Sequence, residues 1–192
     1  MANREIEIQV KIENSKPLLE YLESKAILKS EKRQVDEYFT PPDRDFTAKR
    51  PIKEWLRLRD SEGCSSLNYK SFHFDKDGKS SYRDEYETEI KDIKQVKNIF
   101  ASLGFKSLVV VEKVRQSWDY QDYEVSLDSV KDLGDFVEIE YKGENDTNPK
   151  KITEEMIKFL KSQNVGRIER NHVGYPFQLL FPGEVEWERV KS

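Results

Sequence analysis

From Arg4 to Ile12 the chain alternates. Ile6, Ile8, Val10 and Ile12 fall on one side, and Glu5, Glu7, Gln9 and Lys11 on the other. A period of two predicts a strand with one apolar face. From Pro17 to Lys25 the spacing turns helical, with Asn14 or Ser15 where a cap belongs. Residues 26–39 return to strand and end before a loop marked by Pro41 and Pro42. Residues 53–60 alternate again, Leu56 and Leu58 opposite Arg57 and Arg59, and residues 65–72, carrying Lys70, read as the hairpin partner. A turn at Gly78 leads into 81–90, where Arg83, Glu85, Glu87 and Glu89 share one register. An amphipathic helix follows, from Asp92 to a stop at Gly104. Three more strands lie within residues 107–143, and a last helix is expected from Thr153, its candidate cap. The apolar tail from Asn171 onward has no clear period.

The element order, strand, helix, then several strands, occurs twice. Glu5 and Glu7 overlay on Glu85 and Glu87, and Arg33, Gln34 and Tyr38 overlay on Arg115, Gln116 and Tyr120, with a two-residue slip between the blocks. This pattern fits an internal duplication; chance likeness between alternating strands gives the same overlay.

The polar sides of these strands carry the chemistry. Charges recur at alternate positions: Glu5, Glu7 and Lys11; Arg57 and Arg59; Arg83, Glu85 and Glu87; Lys113 and Arg115; Glu138 and Glu140. Neighbouring carboxylates on one strand face lie about 7 Å apart and repel unless a cation intervenes. For one strand the plain reading is a solvated face. Five strands with the same habit point to a sheet closed with its charges inside and its apolar faces under helices. About eight strands enclose room for one small ligand. Glutamates then become oxygen ligands for Mg²⁺ or Mn²⁺, and the basic residues become clamps for a polyphosphate.

Composition agrees. Charged residues make up 36% of the 192, against about 25% in an average soluble protein. The formal net charge of −4 gives no long-range pull toward nucleic acid or membrane. Cys64 is the only cysteine, which excludes an internal disulfide and a cysteine-rich metal site. His73 and His172 are too isolated for a histidine metal site. There is no glycine-rich phosphate loop, no apolar run long enough to span a membrane and no signal-like start. These absences predict a cytoplasmic protein with no nucleic-acid or membrane partner. One domain over 1–192 is expected, its core about 4–180 and its tail 181–192.

The set of motifs resembles the CYTH superfamily, the triphosphate tunnel metalloenzymes. Glu5-Ile6-Glu7-Ile8-Gln9 stands where the family has Glu-x-Glu-x-Lys. Further matches are residues 34–39, 55–59, 69–70, 83–87 and 112–115. The stretch from Leu127 to Glu140 looks most similar to the class IV adenylyl cyclase (CyaB-type) branch. The resemblance implies an α+β fold, an eight-stranded antiparallel β-barrel forming a triphosphate tunnel with helices packed on the outside. It implies a metal-dependent enzyme converting ATP to cyclic AMP and pyrophosphate. Alternatives are a thiamine or inorganic triphosphatase and a non-catalytic polyphosphate-binding module. Substrates would be a nucleoside triphosphate, thiamine triphosphate or tripolyphosphate, bound by a monomer or homodimer. By the same resemblance, Glu5, Glu7, Glu138 and Glu140 would hold the metal, Mg²⁺ or Mn²⁺, and Glu85 and Glu87 would either hold a second or orient the arginines. Lys11, Arg57, Arg59, Lys70, Arg83, Lys113 and Arg115 would grip the triphosphate. Lys11, Arg57, Arg59 and Glu138 would carry catalysis, and Asp128 is a further site candidate without a defined role. The family's lysine is Gln9 here, and Lys11, one inward position further along, is the candidate substitute.

Overall fold

A computed structural model describes residues 6–74, 80–143 and 147–190. Glu5, the Gly78 turn and the side chain of Arg83 lie outside the described residues. Eight principal strands are present: β1 (Ile6–Ile12), β2 (Ile27–Thr40), β3 (Glu54–Ser61), β4 (Cys64–Phe74), β5 (Ser80–Ile90), β6 (Lys106–Tyr120), β7 (Tyr123–Val130) and β8 (Gly134–Tyr141). Two short ones follow, β9 (Ile168–Arg170) and β10 (Glu188–Arg189). The helices are α1 (Lys16–Lys25), α2 (Ile93–Ser102), α3 (Pro149–Ser162) and α4 (Tyr175–Leu180). The strands form one sheet in the order β10-β9-β1-β8-β7-β6-β2-β3-β4-β5. This is the α+β class expected: the eight strands foreseen for the barrel form one large antiparallel sheet with helices, and two short strands, β9 and β10, extend it beside β1. No helix among the described residues is long and apolar enough to cross a membrane.

The chain falls into two compact units, Met1–Lys32 with Lys113–Ser192, and Arg33–Glu112. In the first, β1, β8 and β7 alternate as the sequence predicts. Ile8, Val10, Val125, Leu127, Val137 and Ile139 point to one face and are buried. Leu18 and Leu22 of α1 and Ile152, Met156 and Leu160 of α3 close over that face. Burying each such side chain contributes about 1.5–3 kcal/mol. The opposite face is left to the polar residues. The β7–β8 hairpin turns through Asp132 and Gly134, both at positive φ (66° and 94°), a conformation that Asp and Gly accept most readily.

Local chemistry sets the helix ends. Asn14, rather than Ser15, accepts from the first-turn amide of Lys16 at 3.1 Å, while the Ser15 hydroxyl donates to Asp135. Asp92 caps α2 through the Gln95 amide, and Gly104 at φ +80° follows its end. The helix expected from Thr153 is α3, which begins a turn earlier, and a further short helix, α4, follows it in the apolar tail. Asn148 accepts from Lys150 N at 3.0 Å, and Pro149, with φ fixed for a helix, occupies the first position.

In the second unit, Leu58 is fully buried on the apolar side of β3. Phe39 of β2 meets Phe100 of α2 edge-on at 5.2 Å, and Lys97 of α2 pairs with Glu37 at 2.6 Å. One helix thus lies against the face opposite the arginines.

Leu22→Ala and Leu160→Ala should each lower the unfolding free energy by about 2–5 kcal/mol through cavity formation. Ile99→Ala, at a side chain 54% exposed, should stay within about 0.5 kcal/mol. Urea denaturation checks all three.

Candidate functional site

In the first unit, pairing register lines up the polar residues. Gln9 of β1 faces Glu138 of β8, which faces Ser126 of β7, which faces Ser117 of β6. One step along, Asp128 faces both Arg115 and Phe136. The other way, Glu7 faces Glu140, and Glu140 faces Glu124.

Asp128 is the hub of this face. It is 1% exposed and takes two charge-assisted bonds from Arg115, Nε to Oδ1 and Nη2 to Oδ2, both 2.6 Å. Lys113 Nζ reaches Oδ2 at 3.1 Å, and the Tyr175 hydroxyl donates to Oδ2 at 2.8 Å. Burial pushes the Asp128 carboxyl up, but the Arg115 hydrogen bonds and the Lys113 charge outweigh it and bring it down to about 2. Burial raises the Tyr175 phenol far above its usual range, and Asp128 beside it adds to the shift.

Arg115 has a second partner. Nη1 and Nη2 donate to Glu138 at 3.2 and 3.0 Å. Glu138 keeps 24% of its side chain exposed and accepts from Gln9 Nε2 at 3.3 Å. Burial opposes the Glu138 charge, and the Arg115 guanidinium overcomes it, so its carboxyl sits below the usual range. The residue at the lysine position of the family signature therefore gives Glu138 a neutral hydrogen bond. Lys11 lies elsewhere on the face, its ammonium 5.8 Å from the Phe136 ring centre and 5.6 Å from that of Trp187. Among the described residues no carboxylate reaches it.

Glu7, Glu140 and Glu124 form a lateral row of like charges, an arrangement that calls for cations. Here Glu140 takes Lys142 at 2.6 Å and Glu124 takes Lys29. Their oxygens are the donor type a hard divalent cation accepts. Among the described residues, no three acidic, histidine or cysteine groups converge as a metal cluster. Sequence reasoning passed over Glu124, although its even spacing from Asp128 puts both on one face.

The second unit repeats the scheme. Asp36 of β2, 2% exposed, takes Arg59 of β3 in a two-bond clamp at 2.6 and 2.7 Å. Arg57 is worse served, with Asp36 at 3.8 Å and Glu87 at 3.4 Å, and its Nε is buried with no hydrogen-bond partner. Lys70 and Asn68 of β4 hold Glu85 of β5 at 3.1 and 2.8 Å, and Ser66 holds Glu87 at 2.8 Å. The Tyr38 phenol is raised to about 12, first by burial and then by Asp36. Glu85 and Glu87 thus act here as acceptors that orient Lys70 and the strand-borne polar groups. Asp36 went unremarked in the sequence, since a single aspartate in a strand gives no sign of its partner.

The chain matches known proteins in sequence and in fold. The CYTH domain model matches residues 3–174, and the chain belongs to that family. A Methanocaldococcus jannaschii protein named "Putative adenylate cyclase" is 38% identical over 85% of this chain and 91% of its own. The solved structure of the PH1819 protein from Pyrococcus horikoshii is 27% identical, with TM-score 0.71, covering 94% of this chain and 100% of that one. The solved structure of a Hippeastrum protein, named "Putative adenylyl cyclase" and said to reveal a dominant triphosphatase activity, shares the fold at 18% identity and TM-score 0.66. It covers 95% of this chain and 98% of its own.

Asp128→Asn should destabilise the protein by about 3–5 kcal/mol, because it leaves buried Lys113 and half-buried Arg115 undercompensated. The Asp128 carboxyl is depressed when folded, so its contribution is present above its ordinary value of 3.8. As pH falls the unfolded chain takes the proton first, and the contribution is lost toward about 2. Thermal unfolding between pH 6 and pH 2 should therefore show the gap between wild type and variant narrowing as the solution becomes acid.

Proposed function

We propose that this chain is a divalent-metal-dependent enzyme acting on a nucleoside triphosphate, an adenylyl cyclase of class IV that forms cyclic AMP and pyrophosphate. The observation that carries the reading is Arg57. A guanidinium only 11% exposed, with a buried donor lacking an acceptor, is costly unless an anion completes it. Support in the other unit comes from Arg115, whose bond to buried Asp128 fixes it while its bond to the more open Glu138 can be exchanged for phosphate oxygens. In this reading Arg57, Arg59, Lys70, Lys113 and Arg115 bind phosphate, and Arg83 joins them by sequence position.

Glu7 and Glu140, paired across β1 and β8, would hold Mg²⁺ or Mn²⁺ together with Glu5 by sequence position, with Glu138 close by on Arg115. Such an ion, when bound, neutralises phosphate charge. The protein's own share is positioning and charge compensation. The substrate's 3′-oxygen attacks the α-phosphorus as the bond to the pyrophosphate oxygen breaks. Glu138, ionised at neutral pH, is the candidate acceptor for the hydroxyl proton. Terminal-phosphate hydrolysis is the second reading, favoured by the activity stated for the Hippeastrum protein of the same fold. Water then replaces the 3′-hydroxyl as nucleophile.

Incubation with ATP, thiamine triphosphate or tripolyphosphate, each with Mg²⁺ or Mn²⁺, separates these readings. Cyclic AMP with pyrophosphate is expected. Orthophosphate would establish the triphosphatase, and no product from any substrate would reject both. Arg57→Ala should weaken triphosphate binding roughly tenfold or more and monophosphate binding less, by calorimetry. Equal losses would remove Arg57 from the phosphate site.

A further inference from the structure

The segment after residue 174 lies beyond the family match, yet it contributes to the polar face of the first unit. Tyr175 bonds to Asp128 and meets Phe136 edge-on, with ring centres 4.9 Å apart. Trp187 lies against the same Phe136 at 6.4 Å. Its position is fixed from the C-terminal side. Glu188 and Arg189 pair with Arg170 and Glu169, and Val190 N donates to Ile168 O at 3.0 Å. Trp187 nonetheless remains 38% exposed, although it is the kind of side chain that folding normally buries.

We propose that Trp187 and Lys11 form a subsite for the flat, uncharged base of a nucleotide, so that this chain selects a nucleoside triphosphate over bare tripolyphosphate and over thiamine triphosphate. The inference rests on the triphosphate reading above and names the substrate class for it. Three features carry it. An anchored indole with exposed surface is a stacking platform, and a base stacked on an aromatic side chain contributes about 1–3 kcal/mol. Lys11, held against Trp187 and Phe136 with no carboxylate on it among the described residues, has donors available to a phosphate or ribose oxygen. Lys11 is also two residues from Gln9 on the same strand face, about 7 Å along, and Gln9 touches Glu138, the partner of Arg115. A base at Trp187 therefore leaves its phosphates within reach of the phosphate-binding residues of this unit. The Lys11 charge discriminates as well. It repels the cationic thiazolium of thiamine from the platform and leaves a neutral purine or pyrimidine unopposed.

The test is equilibrium binding of ATP, thiamine triphosphate and tripolyphosphate to the full chain by calorimetry, without turnover, for wild type, Trp187→Ala and Trp187→Phe. Wild type should bind ATP at least about fivefold tighter than either of the others. Trp187→Ala should lose roughly tenfold for ATP and leave tripolyphosphate within twofold, and Trp187→Phe should recover part of the ATP loss. Equal losses on ATP and tripolyphosphate would show a merely structural tryptophan and overturn the subsite, as would no loss on either. Wild-type binding of tripolyphosphate without preference for ATP would overturn the subsite alone. Binding of no triphosphate would overturn the triphosphate reading with it.

Discussion

The buried carboxylate of Asp128 is the constraint on which the rest of the first unit's polar face depends. An ionised group at 1% exposure survives only if its lost hydration is replaced. Arg115, Lys113 and Tyr175 replace it, each from a different position: two on β6 and one on the C-terminal segment. The replacement also works in reverse. Lys113, itself 5% exposed, and Arg115 are cations that folding has removed from water, and Asp128 is what makes that removal tolerable. The two cations are thereby held rigid on a face where flexible, solvated ones would have to be ordered by each arriving ligand. Asp36 does the same for Arg59 in the second unit. The polarity of the cross-strand pair is exchanged: the arginine is on β6 in one case and on β3 in the other.

That exchange bears on the proposed duplication. In chain order β1-α1-β2-β3-β4 is followed by β5-α2-β6-β7-β8, and the pairing sequence β1-β8-β7-β6 has its counterpart in β5-β4-β3-β2. The topology repeats, as the sequence overlay suggested. The residue correspondence along β2 and β6 does not. Arg33 was laid over Arg115, but Arg33 is one pleat out of step with Asp36 and pairs with Glu112, whereas Arg115 pairs with Asp128. A one-residue slip moves a side chain to the other face, so an overlay that matches letters can mismatch environments.

The same physics decides what was legible in the sequence. Alternation exposed β1, β3, β7 and β8 and the side on which Glu7, Arg57 and Glu138 lie, because a period of two is local and burial enforces it. The hubs were less legible. Asp128 stood out only through the family resemblance and without a role, and Asp36 not at all, because it is cross-strand register, a long-range property, that brings Arg115 and Arg59 beside them. The C-terminal segment gave no warning of its role, since Tyr175 and Trp187 act through isolated contacts rather than a repeated face. Asn148 shows the local version of the lesson: Asn followed by Pro149 is a strong helix start, and it outweighs a threonine further along.

Gln9 closes the electrostatic account of the first unit. Lys113 and Arg115 are balanced by Asp128 and Glu138. A lysine at position 9 would have left this group with a surplus positive charge. The amide supplies a hydrogen bond to Glu138 without one. A polyanion approaching this group therefore meets no net attraction from it, and its charge has to be answered by cations not already matched. Within the first unit that description fits Lys11, displaced along the strand and held by aromatic rings instead of a carboxylate. In the second unit Arg57 has Asp36 and Glu87 at 3.8 and 3.4 Å, and its buried Nε is still without an acceptor. With glutamine at position 9, the cation of β1 that no carboxylate reaches among the described residues is Lys11, beside Trp187.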